Sequence, residues 1–156
     1  MSNTLPPNLR WTDRSEKKLI DLLLNRTLET HPYGCYCNVL IEKDRVLKAY
    51  SDKKHRDNSV YWQGLAALNS LGPEVGEEFE IVLPPKSGWR KWSVYISERA
   101  YCTLSGGRYF DAVDYLKGKF NELNIPYYDL DKPSNLGVIK KKIVCIDFNL
   151  FGSGRK

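Results

Sequence analysis

Arg45-Val46-Leu47-Lys48-Ala49-Tyr50 reads as a β-strand that carries a single lysine, Lys48, in an otherwise apolar stretch. Upstream, Tyr33-Gly34-Cys35-Tyr36-Cys37-Asn38-Val39-Leu40-Ile41 has the same character, and Glu42-Lys43-Asp44 joins the two runs as a hairpin. Downstream, the polar stretch 51–58 leads into residues 59–71, where Val60, Leu65, Ala66, Leu68 and Leu71 suit a helix ended by Gly72-Pro73. Residues 79–83 then form a short strand stopped by Pro84-Pro85, and Trp92-Ser93-Val94-Tyr95-Ile96 is a strand of alternating bulk.

Working outward to the ends, Asp13 with Glu16 three residues later marks a helix start, and Leu19, Ile20, Leu22, Leu23, Leu24 and Leu28 give that helix a wide apolar stripe for docking. After Gly106-Gly107, residues 109–123 place Phe110, Val113, Leu116 and Phe120 at helical spacings. Leu136-Gly137-Val138-Ile139 and the strand 143–148 flank the turn Lys140-Lys141-Lys142. The expected order is helix, two strands, three times over, which is an α+β chain. It contains no internal repeat.

The 156 residues suit one domain, and their 24 Lys+Arg against 19 Asp+Glu give a net charge of +5. No apolar run approaches the roughly 20 residues that span a bilayer, and the first residues lack the pattern of a secretion signal, so a cytoplasmic protein without membrane contact is expected. Four cysteines at 35, 37, 102 and 145 are expected to be reduced thiols, and with two histidines, His31 and His55, a zinc site is not expected. Trp89-Arg90-Lys91-Trp92, Lys140-Lys141-Lys142 and the tail Gly152-Ser153-Gly154-Arg155-Lys156 mix basic and aromatic residues as nucleic-acid binders do. Lysines also crowd strand turns for solubility and edge protection, so nucleic acid is not the expected partner.

Three segments together carry a family resemblance: the strand with Val46-Leu47-Lys48, the loop Asp129-Leu130-Asp131-Lys132-Pro133-Ser134-Asn135, and Ile146-Asp147-Phe148-Asn149. The chain resembles a protein kinase over roughly residues 31 to 152, and Asn135-Leu136-Gly137 matches a run found in small kinase-like proteins of bacteriophages. The resemblance implies a kinase amino-terminal lobe with an antiparallel five-stranded sheet and one helix over 31–100, preceded by an arm and packing helix at 1–30. A much reduced carboxy-terminal lobe would occupy 101–156. It also implies ATP and Mg²⁺ as cofactors and a protein substrate, with phosphoryl transfer resting on positioning and charge neutralisation.

Each residue takes its role from that likeness. Lys48 would hold the α- and β-phosphates, Gly34 and Val39 would cover the nucleotide, and the backbone around Glu98 and Ala100 would meet the adenine at the hinge. Asn135 and Asp147 would hold Mg²⁺, Lys132 would steady the γ-phosphate, and Asp129 or Asp131 would orient the acceptor hydroxyl. Asp129 lies six residues before Asn135 and Asp131 four before, where the family's spacing is five; Asp129 is chosen because Asp-Leu matches the family's dipeptide. Several positions depart from the family pattern. Pro32, Gly34 and Cys37 stand at the three glycine positions, and Tyr61, Trp62 and Gln63 where a glutamate would pair with the lysine. Asn149 replaces the glycine of Asp-Phe-Gly, a change a left-handed backbone tolerates. The alternative is a catalytically inactive kinase-fold module that binds and modulates a host protein. Pairing of two copies into a homodimer would be one remedy for the reduced lobe.

Overall fold

A computed structural model describes residues 5–25, 37–83, 91–101, 106–126 and 136–146. The elements are α1 (Asp13–Asn25), β1 (Cys37–Ile41), β2 (Arg45–Tyr50), α2 (Lys53–Leu68), β3 (Val75–Val82), β4 (Lys91–Glu98), α3 (Gly106–Leu123), β5 (Leu136–Ile139) and β6 (Lys142–Cys145). This is the expected α+β order of helix and two strands, repeated three times. The chain divides into two units, one of Met1–Asp57 with Val75–Glu98, the other of Asn58–Glu74 with Arg99–Lys156.

The first unit is built on an antiparallel sheet in the order β1-β2-β4-β3. Alternation sends Leu47, Ala49, Val94, Ile96, Trp92 and Ile81 to one face, where they form a buried core with Leu19 and Leu23 of α1. Each fully buried aliphatic side chain there contributes about 1.5–3 kcal/mol of hydrophobic stabilisation. Thr12 caps α1, its Oγ1 accepting from the backbone N–H of Ser15 at 3.1 Å, so the cap lies one residue before the expected Asp13. Likewise α2 begins six residues earlier than expected. The Asp52 carboxylate accepts from the N–H of Lys54 at 2.8 Å, which satisfies a first-turn donor and turns the polar stretch after Ser51 into helix. Strand β3 starts four residues early with an irregular register between Val75 and Glu78, where Gly76 passes close to Leu9.

The expected five-stranded sheet is not found: among the described residues it has four strands. The last two strands form a separate two-stranded sheet, β5-β6. Their edges are engaged within the second unit, through a bridge between Tyr101 and Val138 and a bond from the Cys145 N–H to the Leu71 carbonyl at 3.0 Å. Residues 33–36, the first part of the expected first strand, lie outside the described residues.

In the second unit, Tyr109, Ala112, Val113, Leu116 and Phe120 of α3 pack with Ala66, Leu71, Ile125, Leu136 and Cys145. Two helices end in the same way. Ser70 and Asn124 adopt left-handed backbones, with φ of 61° and 57°, and the following N–H groups of Leu71 and Ile125 return to Ala66 and Phe120 at 2.8 and 2.9 Å. The caps thereby drive Leu71 and Ile125 into the core. The stop signal is therefore Ser70, two residues before the expected Gly72.

Candidate functional site

On β2 the buried Leu47 and Ala49 fix one face, so Lys48 and Tyr50 belong to the other. In register, Lys48 lies between Val39 of β1 and Tyr95 of β4, and Tyr95 in turn pairs with Glu78 of β3. The lysine is only 9% exposed, and its Nζ stands 5.7 Å from the centre of the Tyr95 ring. Tyr95 stacks on Tyr50 with centroids 6.1 Å apart and planes 9° from parallel. A buried ammonium over an aromatic face is stabilised by the ring quadrupole.

The adjacent row of the same face runs from Tyr50 through Ser93 to Glu80. Ser93 Oγ donates to Glu80 at 2.8 Å, and Arg56 from the start of α2 donates to the other oxygen of that carboxylate at 2.9 Å. Arg56 also donates to the Val94 carbonyl at 3.0 Å and to Asp57 at 2.7 Å, which ties the first turns of α2 to β3 and β4. The hydrogen bond from Lys53 to Asp57, joined by that from Arg56, holds the Asp57 carboxyl below its ordinary range.

A second charged cluster closes the β1–β2 turn. Arg45 donates to Glu42 at 2.8 Å, to Thr12 at 3.1 Å, and to the Arg10 carbonyl and Ser15 Oγ, while Ser15 donates to Glu42 at 2.8 Å. Burial raises the Glu42 carboxyl, but the hydrogen bonds from Arg45 and Ser15 and the charges of Arg45 and Lys18 outweigh it and leave the group below its ordinary value. This cluster anchors the entrance to α1 on the hairpin.

Of the expected site residues, Val39 and Lys48 are brought together as cross-strand partners, Val39 being exposed and Lys48 buried. Glu98 closes β4 opposite Arg45. Ala100 is partly buried in the second unit, beside Gly137: a Cβ on Gly137 would stand 2.7 Å from the Ala100 Cβ. Gly34, Asp129, Asp131, Lys132, Asn135 and Asp147 lie outside the described residues. Gln63, at one candidate position for the missing glutamate, is buried and donates through Nε2 to the Pro73 carbonyl at 3.0 Å. Among the described residues no group of three or more His, Cys, Asp and Glu side chains could hold a metal ion, and no helix is long and apolar enough to cross a membrane.

Tyr95, Arg56 and Arg45 are the site-forming residues that pattern reading missed. A signal for Tyr95 existed, since pairing β2 with the alternating strand 92–96 lays Tyr, Ser and Lys on one face. Arg56 was hidden in a stretch whose helical start depends on Asp52. No protein family, curated protein or solved structure matches this chain.

Proposed function

We propose that this chain is a minimal kinase-like protein that binds Mg·ATP and transfers the γ-phosphate to a protein hydroxyl. The observation that carries the proposal is Lys48: a buried cation on the second strand of a hairpin, followed by one helix and two further strands. The resemblance calls for a hairpin, a lysine strand, one helix and two further strands; this chain shares the lysine strand, the helix and the two strands that follow, in a sheet of four described strands and not five. A lysine fixed in a site shielded from water attracts phosphate far more strongly than one on an open surface.

The chemistry of Lys48 fits a nucleotide triphosphate, and the remaining roles follow the resemblance. By the resemblance Lys48 would hold the α- and β-phosphates, Gly34 and Val39 are assigned to cover the nucleotide, and the backbone at Glu98 and Ala100 is assigned to the adenine. Asn135 and Asp147 would hold Mg²⁺, which would supply charge neutralisation to the phosphates. On this reading Asp129 would accept the proton of the acceptor hydroxyl as its oxygen bonds to the γ-phosphorus, the bond from that phosphorus to the β–γ bridging oxygen would break and ADP would leave, and Lys132 is assigned by the resemblance to steady the γ-phosphate.

Incubation of the chain with Mg·ATP and a panel of Ser/Thr-containing proteins, read by intact-mass spectrometry, tests this activity. Phosphorylated product that disappears with Asp129→Asn is expected; product formed equally well by Asp129→Asn and Lys48→Ala variants would refute it. The alternative, a non-catalytic module docking on a host protein, draws on the exposed Tyr61, Leu68, Phe110 and Tyr115. It predicts partner capture that Lys48→Ala leaves unchanged.

A further inference from the structure

We propose that a cleft in the second unit, formed by α3 and the β5–β6 hairpin, binds a free nucleotide: its base on Tyr115, its amino or hydroxyl donors at Asp111 and its phosphates at the lysines of the hairpin turn. The cleft shares no residue with the proposed phosphoryl-transfer site and does not rest on it.

The cleft has a volume of about 500 Å³ and is lined by Ser70, Asp111, Ala112, Tyr115, Lys142 and Ile143. That lies within the roughly 300–1,000 Å³ of small-molecule sites. All six residues belong to the second unit. Asp111 and Tyr115 stand four residues apart on α3, which places them one above the other on one helix face. Ala112 belongs to the buried core and Ile143 packs against it, so the cleft combines an apolar lining with two charges. Those charges are opposite, yet neither the Asp111 nor the Lys142 side chain makes an ion pair among the described residues. Tyr115 is half exposed, and Lys119 Nζ lies 5.9 Å from its ring centre. A planar ring has two faces, so a cation at one leaves the other for a base.

The hairpin turn is a second, independent observation. Lys140 and Lys141 both hold left-handed backbones, with φ of 50° and 68°, where Asn-Gly is the ordinary choice. With Lys142 they make three exposed lysines in succession, the last of them lining the cleft. Lysines that serve only solubility or edge protection need no strained backbone, and strain of this kind collects at functional sites.

The lining selects the ligand by its chemistry. A bare polyanion would meet Asp111 as a repelling charge. An α-amino acid would engage Asp111 and Lys142 but leave the turn lysines unused. A nucleotide uses every group: an aromatic base stacks on the ring, donors of the base or sugar meet the carboxylate, and phosphate oxygens accept from the lysines.

The test is calorimetry with ADP in EDTA, read with NMR shifts of Tyr115, Ile143 and the turn amides of the full chain. Saturable ADP binding with shifts at those residues is expected, and adenosine and tripolyphosphate should each bind at least about tenfold more weakly. Lys140→Asn with Lys141→Gly relieves the turn and so keeps the fold, yet should weaken ADP by about tenfold; Tyr115→Ser should do the same. Asp111→Ala should weaken ADP but not tripolyphosphate. Tighter ADP binding by Asp111→Ala, or tripolyphosphate bound as tightly as ADP, would reduce the cleft to a basic patch and overturn the proposal. Absence of shifts at millimolar ADP overturns it without any variant. Lys48→Ala should leave the cleft shifts unchanged, so a failure of nucleotide binding at Lys48 leaves this site standing; shifts that vanish in Lys48→Ala arise from the other site and overturn it. An oligoadenylate that binds the same residues more than about tenfold tighter than ADP makes the ligand a strand and overturns the free nucleotide.

Discussion

Replacing Arg45 by alanine should uncouple the entrance of α1 from the β1–β2 hairpin. The guanidinium is 8% exposed and donates to Glu42, Thr12, Ser15 and the Arg10 carbonyl, and the Glu42 side chain is 14% exposed. Removing one partner of a buried ion pair costs about 3–5 kcal/mol, because the other charge stays behind uncompensated. Glu42 retains Ser15 and the more distant Lys18, at 3.7 Å, so the lower end, about 3 kcal/mol, is expected. For a chain of this size that lowers the melting temperature by roughly 6–12 °C. Arg45→Lys restores a charge but not the fork of donors, so it should recover about half of the loss. Removing both charges with Arg45→Met and Glu42→Gln should cost less than Arg45→Ala alone, since no buried charge is then orphaned. Thermal melts followed by circular dichroism, with hydrogen exchange of the Leu19 and Leu23 amides, provide the assay. A loss below about 1 kcal/mol in Arg45→Ala, or a double variant as damaged as the sum of the singles, would refute the reasoning.

Other consequences are equally open to measurement. Because Glu42 titrates below its ordinary 4.5 in the folded chain, its contribution is fully present above that pH and is lost as pH falls through the lower folded value. Stability measured by urea unfolding should therefore drop below about pH 4.5, less steeply in Glu42→Gln. Gly76→Ala would place a Cβ 2.5 Å from the Leu9 carbonyl oxygen and 2.7 Å from its Cβ, and should cost about 2 kcal/mol in the same assay. Lys140 and Lys141 hold left-handed backbones, with φ of 50° and 68°, in the two-residue turn between β5 and β6. Asn at 140 with Gly at 141 should raise stability by about 1–2 kcal/mol, visible as a higher urea midpoint at unchanged slope.

The elements legible in the sequence were those with strong periodicity. The strand 45–50 and the strand 136–139 are found at their expected bounds, and α3 reaches Leu123 as expected. What escaped reading was set by single side chains acting on the backbone. Asp52 starts α2 within the polar stretch 51–58, Ser70 stops it in a left-handed conformation that serine seldom adopts, and Gly76 admits a bulge that interrupts alternation in β3. The grouping of strands escaped as well, because strand pairing over long sequence distances is decided by which edges remain free, and β5-β6 finds its neighbours at Tyr101 and Leu71. At the candidate site, Lys48 was legible from its place in the strand. The ring beside it could be placed on the same face by alternation, but its pairing with Lys48 depends on the register between β2 and β4, across 47 residues of chain.

The most direct measurement is Mg²⁺-dependent ATP binding by calorimetry on the wild type, Lys48→Ala and Asp147→Ala. Saturable binding to the wild type, lost in both variants, is the predicted result. No binding at millimolar nucleotide by folded protein, or binding that both variants retain, would contradict the account.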